Sequence, residues 1–220
     1  MVNLSLGSKK RSELLENKIR EATEQGVACI AAAGNSATKI QYPAAFEDVF
    51  SVAAIGQTET FPEVSYHLRQ VGQHTSRDGQ YFSARFTCFA EAGQRMDVCA
   101  PGVAVISTVP NQPTAYAAWD GTSLACAHVV GVAAVMLEAR AALREMPRGQ
   151  ARVEAVFKAI RERAEDLGLP VAYQGSGLPN VRKALSVGVG APPETGVDEA
   201  WRRLERLLSE ALTILKQKVG

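Results

Sequence analysis

Two nearly continuous apolar runs, residues 27–33 and 49–55, constrain the fold of this chain more than any other feature. Each has the length of a strand and ends at a glycine, Gly34 or Gly56. A strand with one wet face alternates apolar and polar residues, whereas one that is apolar almost throughout is covered on both faces. Before the first run, residues 12–25 place Leu14, Leu15, Ile19 and Ala22 on one helical face, and Gly26 supplies the stop. The opening residues 2–6 read as a short buried strand ending at Gly7. Strand, helix and strand in this order predict an α/β fold of three layers, α/β/α, around a largely parallel sheet.

Residues 57–95 are polar, sprinkled with aromatics and broken by Pro62, Gly72 and Gly79. They read as a long surface excursion with one short strand near Tyr81-Phe82. Order returns at 96–99, turns at Ala100-Pro101-Gly102 and continues as a strand over 103–108. Residues 122–140 are a strongly apolar helix, with Leu124, Val129, Val132, Val135 and Met136 expected to be buried on several sides. Residues 151–167 form a more amphipathic helix. Residues 191–197 read as a linker that closes a domain of residues 1–190. Beyond it, Trp201, Leu204, Leu208, Ala211 and Leu215 recur at helical spacing, so 198–220 is an amphipathic helix that folds back or meets a partner.

The 220 residues suffice for one domain with a core of its own. A formal net charge of +1 leaves no electrostatic footprint for nucleic acid or an anionic membrane. No apolar run is expected to span a bilayer, and residues 1–6 have no basic region or cleavage pattern of a signal peptide. The four cysteines, Cys29, Cys88, Cys99 and Cys126, form no close metal-type pair and suggest no disulfide framework. Buried free thiols are expected, which favours a reducing, cytoplasmic compartment.

The informative segment is Asp120-Gly121-Thr122-Ser123-Leu124-Ala125-Cys126-Ala127-His128-Val129-Val130-Gly131. A serine after a Gly-Thr turn, at the start of an apolar helix, presents its hydroxyl where backbone N–H groups and the helix dipole favour negative charge. Read alone, Thr122 or Ser123 serves equally well as a plain helix cap.

The segment resembles the Gly-Thr-Ser-x-Ala-x-x-His-x-x-Gly signature around the nucleophile of subtilases, the subtilisin-like serine peptidases. Others agree in order. Asn3-Leu4-Ser5-Leu6-Gly7 is similar to the family's substrate-cleft strand, and Ala31-Ala32-Ala33-Gly34-Asn35-Ser36 to its oxyanion segment. Tyr42-Pro43-Ala44 with 49–54, Asp97-Val98-Cys99-Ala100-Pro101-Gly102, and Gly177-Leu178 through Ala184-Leu185 resemble later parts of the family pattern. The resemblance covers residues 2 to 186. It departs at Ala127, where the signature usually has proline, and in the length of the 57–95 segment.

By this resemblance Ser123 is the acyl-forming nucleophile, and Asn35 donates to the tetrahedral oxyanion with the Ser123 backbone N–H. Ser5, Leu6, Gly7, Ala32, Gly34 and Thr122 line a cleft for an extended peptide or protein substrate. Small residues at 31, 32 and 34 leave room for a bulky side chain before the scissile bond, and no acid there calls for a basic one. The family's catalytic Asp and His precede the cleft strand, and these 220 residues hold no counterpart of either. The chain therefore reads as the C-terminal portion of a catalytic domain, inactive by itself. The alternatives are a non-catalytic peptide-binding module on a degenerate subtilase fold, or a split enzyme whose other chain supplies the base. Of the three histidines, His128 matches the signature's packing residue, while His67 and His74 read as solvated loop residues. No cofactor, metal site or calcium ligand cluster is evident.

Overall fold

The computed structural model describes residues 1–110 and 115–182. The linker and helix expected over 191–220, and the end of the family pattern at Ala184-Leu185, lie outside them. The chain runs β1 (Val2–Leu4), α1 (Glu13–Glu24), β2 (Cys29–Ala32), β3 (Val49–Gln57), a 3-10 turn (Tyr66–Gln70), β4 (Val71–Thr75), β5 (Tyr81–Ala84), β6 (Val98–Pro101) and β7 (Val105–Thr108). It continues with β8 (Tyr116–Trp119), α2 (Thr122–Ala139), α3 (Ala141–Arg144), α4 (Gln150–Glu162), β9 (Ala164–Glu165), α5 (Val171–Gln174) and β10 (Leu178–Pro179).

The central strand is β3. Val52 pairs in parallel with Ala32 of β2 on one side and with Val98 of β6 on the other. β1 adds in parallel to β2. Successive side chains of a strand point to opposite faces, so an unbroken apolar run feeds two cores. Ile30, Ala32, Phe50, Val52, Ala54, Val98 and Ala100 meet Val129, Ala133 and Met136 of α2 and Val153, Phe157 and Ile160 of α4. Cys29, Ala31, Val49, Ala53, Ile55 and Cys99 meet Ile19 of α1 with Ile40, Phe46 and Leu167. The expected three layers are present. α1 begins where Ser12 accepts the Leu15 N–H on its side chain, a cap made by the hydroxyl placed just before the apolar stripe.

Several local readings are corrected. The first strand ends at Leu4, because Ser8 leaves the sheet to exchange backbone hydrogen bonds with Tyr42. The 57–95 segment is not wholly a surface excursion: β5 pairs antiparallel with the last residues of β3, and β4 with β5. Its polar composition conceals burial, since buried Thr87 accepts the Ala54 N–H and so satisfies the backbone of β3. α4 stops at Glu162, after which Ala164 and Glu165 pair with Pro179 and Leu178. On α2, Val129 and Met136 are buried, whereas Leu124 and Val132 are half-buried and Val135 is exposed. α2 is apolar all round but packs against β1, β2, β3 and β6 on one side. By length and composition it would suffice to cross a bilayer, contrary to the sequence expectation; here it is the central helix on the sheet.

Candidate active site

Three segments meet where parallel strands give way to loops. Ser5, Leu6 and Gly7 follow β1, Gly34 and Asn35 follow β2, and Thr122-Ser123 open α2. This is the carboxyl edge of the parallel strands, the usual ligand crevice of an open α/β sheet. Gly102 sets the depth of α2. Its N–H donates to the Ile55 carbonyl and its own carbonyl accepts from Gly121. A Cβ on Gly102 would lie 2.7 Å from the Ala54 Cβ and 2.8 Å from the Gly121 carbonyl oxygen.

Thr122 and Asn35 lock the turn. Asn35 Oδ1 accepts from the Thr122 N–H at 2.9 Å and from its hydroxyl at 2.7 Å. The Gly34 N–H donates to Thr122 Oγ1 at 3.2 Å. With Oδ1 engaged, Nδ2 is the group Asn35 offers to a ligand. The point that a Cβ on Gly121 would occupy lies 3.5 Å from Asn35 Nδ2 and 3.8 Å from the Ser123 backbone nitrogen. The bare α-carbon of Gly121 thus keeps open a spot on which two nitrogens converge, at the positive end of an 18-residue helix.

Ser123 is half-buried. Its hydroxyl donates to the Ser5 carbonyl at 3.3 Å, and the Ser5 hydroxyl donates to the Ser123 carbonyl at 3.0 Å. Among the described residues no imidazole or carboxylate bonds to the Ser123 hydroxyl. The histidines are elsewhere. His128 is exposed and Nδ1 lies 2.9 Å from the Leu124 carbonyl oxygen of its own helix, so it is not a packing residue. His74 lies against the Tyr173 ring, with centroids 4.7 Å apart. His67 is not a solvated loop residue: its side chain is 15% exposed, and Nδ1 lies 2.7 Å from Asp120 Oδ1. Phe61 packs beside the ring, and Asp120 Oδ1 also accepts the Ala104 N–H. The excursion is thereby fastened to the residue that begins the Gly-Thr-Ser turn.

The cleft encloses a cavity of about 340 Å³ reaching Leu6, Ala32, Gly34, Ser36, Gln41 and Ser123. The room expected for a bulky group is partly filled. Gln41 projects between Gly7 and Gly34, with Oε1 at 2.6 Å and 2.8 Å from where their Cβ atoms would stand. The small residues read as space for a ligand are in part space for this carboxamide.

A sequence profile of the subtilase family, peptidase family S8, matches residues 1–177. The chain belongs to the subtilase family. It is 31% identical to subtilisin BL of Lederbergia lenta over 185 residues, covering 84% of this chain and 55% of that protein. It is 32% identical to M-protease of Shouchella clausii (strain KSM-K16), covering 84% of this chain and 39% of that protein. Among solved structures it is similar to sphericase, with a TM-score of 0.63 at 25% identity, covering 81% of this chain and 56% of that one. The self-cleaved protease domain of PatA has the same fold, with a TM-score of 0.60 at 23% identity over 84% of this chain and 60% of that one. The chain spans about half the length of the subtilases it matches.

Ser5, Leu6, Gly7, Ala32, Gly34, Asn35, Thr122 and Ser123, all expected in the subtilase cleft, line one cavity, whereas Ala31, expected to leave room there, is buried in the core beside α1. Sequence reasoning missed Gln41 and the His67–Asp120 pair. Gln41 adjoins the quoted Tyr42-Pro43-Ala44, and the glycines at 7 and 34 were its available signal. Nothing local marked His67.

Proposed function

We propose that this chain carries the nucleophile and oxyanion half of a serine endopeptidase. An extended peptide lies along Ser5-Leu6-Gly7 and Ala32–Gly34, held by main-chain bonds like an added strand. Ser123 Oγ attacks the scissile carbonyl carbon, and its proton passes to a base. The carbonyl oxygen takes up the negative charge and is met by Asn35 Nδ2 and the Ser123 N–H. Collapse of the intermediate breaks the C–N bond and releases the protonated amine. Water then hydrolyses the Ser123 ester. The convergence of Asn35 Nδ2 and the Ser123 backbone nitrogen over Gly121 is the observation that carries this reading.

The base is not supplied by any group bonded to Ser123 among the described residues, so the chain by itself has little or no peptidase activity. Serine without a base is a poor nucleophile, and members of a triad act as a unit. The hydrogen bond from the Ser123 hydroxyl to the Ser5 carbonyl favours one second reading, a non-catalytic peptide-binding module in which that hydroxyl is structural.

Labelling with a fluorophosphonate probe separates the two. The peptidase reading expects weak or no labelling of the chain, and labelling at Ser123 when imidazole is added as an external base, abolished by Ser123→Ala. Folded protein that stays unlabelled at every imidazole concentration would leave the binding module.

A further inference from the structure

We infer that Gln41 makes the pocket beside Ser123 select a carboxamide side chain, glutamine or asparagine, immediately before the scissile bond. The inference rests on the reading of the cleft as a peptide-docking site and adds its substrate class.

The geometry of Gln41 carries the argument. Its backbone N–H donates to the Ala33 carbonyl at 3.0 Å, which anchors the residue beside β2. Its side chain then runs into the gap between two glycines. A Cβ at Gly7 would stand 2.6 Å from Oε1, and one at Gly34 would stand 2.7 Å from Cδ. Neither distance is tolerated between real atoms, so the carboxamide occupies the volume these residues leave empty. It is held there by its far end: Nε2 donates to Ser36 Oγ at 2.9 Å. Ser36 Oγ is itself 2.7 Å from Thr38 Oγ1 and 3.4 Å from Cys88 Sγ. The carboxamide is therefore part of a fixed polar chain, with Oε1 at the pocket.

The occupant follows from what this floor requires. A ligand side chain that enters the pocket removes water from the Gln41 carboxamide. An aliphatic or aromatic side chain leaves it unpaired, which is unfavourable. A cation meets no counter-charge, because none of the residues lining the cavity is acidic. A carboxylate meets no cation there for the same reason. With Oε1 at the pocket and one Nε2 hydrogen on Ser36, a neutral side chain satisfies Gln41 by donating to Oε1 and accepting the second Nε2 hydrogen. Asn and Gln have that chemistry, and two carboxamides pair through two hydrogen bonds.

The test is binding, so it needs no turnover. Fluorescein-labelled Ala-Ala-Ala-X peptides with free carboxylates, X being Gln, Asn, Leu, Phe or Lys, are titrated against the chain by fluorescence anisotropy. The expected order puts Gln and Asn about tenfold or more tighter than Leu and Phe, the scale of one unmade hydrogen bond. Gln41→Leu preserves volume, and is expected to abolish or invert that order. Gln41→Glu is expected to move the preference to Lys, and serves should the leucine variant not fold, as judged by thermal melting. Peptides that bind with Leu or Phe ahead of Gln, or with the same order in the wild type and Gln41→Leu, overturn the inference while the cleft stands. Failure of all the peptides to bind folded protein overturns the cleft reading itself, and this inference with it.

Discussion

His67 Nδ1 stands 2.7 Å from Asp120 Oδ1, so a residue 53 positions earlier in the chain grips the start of the turn that presents Ser123. Both side chains are largely buried, at 15% and 10% exposure, and the same carboxylate oxygen takes the Ala104 N–H at 2.8 Å. Two parts of the molecule that share no secondary structure are coupled through one carboxylate. His67→Ala and Asp120→Ala are therefore expected to be non-additive. In urea melts a double-mutant cycle should return a coupling of about 1–2 kcal/mol, the scale for a part-buried hydrogen bond to a charged group. A coupling near zero would mean that His67 contributes only through its packing on Phe61.

Gly121→Ala tests the convergence of the two nitrogens. The new methyl would sit 3.5 Å from Asn35 Nδ2, an ordinary contact, so the fold should tolerate it. Stability is expected to change by no more than about 1 kcal/mol, as for substitutions that create no overlap. On the proposed reading, the methyl fills the spot where the scissile carbonyl oxygen is held. Imidazole-assisted labelling of Ser123 should then fall by on the order of a hundredfold, the scale measured in a subtilisin for loss of one oxyanion donor.

Asn35 Oδ1 holds Thr122, and the proposed reading gives its Nδ2 to the oxyanion. Asn35→Asp keeps the acceptor for the Thr122 N–H and hydroxyl, and replaces the donor with an anionic oxygen. Its melting is expected to stay near wild type while Ser123 labelling is lost. Asn35→Ala removes the acceptor as well and should cost about 1–2 kcal/mol in a denaturant melt, as for a lost helix-start cap.

Asp97 is buried at the amino end of β6. Oδ1 accepts from Arg161 at 2.8 Å and Arg95 at 2.9 Å, and Oδ2 from the Ser51 N–H at 2.8 Å. Asp97→Ala would leave the buried Ser51 N–H without its acceptor, while the more exposed Arg95 and Arg161 turn to water, and is expected to cost about 1–3 kcal/mol in a urea titration. That is a sizeable share of the about 5–15 kcal/mol that ordinary domains have in hand.

The cysteines are buried and free. Burial pushes the Cys126 thiol up to about 12, against a small opposing contribution from the Leu4 backbone. A raised thiol pKa leaves the protonated, unreactive form at pH 8, with a thiolate fraction of about one in ten thousand for such a group. A disulfide reagent at that pH should find almost no thiol in native protein, and all four after denaturation in guanidinium.

The two apolar runs were legible as strands because their positions feed two cores, and α1 because its cap and glycine stop agree with the face of Leu15, Ile19 and Ala22; Leu14, expected on that face, is exposed instead. The cleft was legible because its residues sit in short segments whose order could be matched. β5 was legible at Tyr81-Phe82, but its partner β4 was not, and neither was the burial of polar residues such as Thr87 against backbone that only the fold brings near. Which face of α2 is covered was also hidden: its sequence is apolar on every side, so periodicity offers no choice. His67 was out of reach, and Gln41 was marked only by the glycines at 7 and 34. Their meaning lies wholly in distant partners, Asp120 for one and Gly7 with Gly34 for the other.

The carboxamide wedged between two glycines binds three positions into one unit of sequence drift, with an asymmetry inside it. If Gln41 shortens, Gly7 is released, and an alanine there meets only the Cβ of residue 41 at an ordinary 3.6 Å. Gly34 is not released. Its φ of 111° lies where side chains are strained, whatever room is made. Changes of pocket chemistry in this chain therefore have a preferred order: Gln41 first, Gly7 afterwards, and Gly34 never.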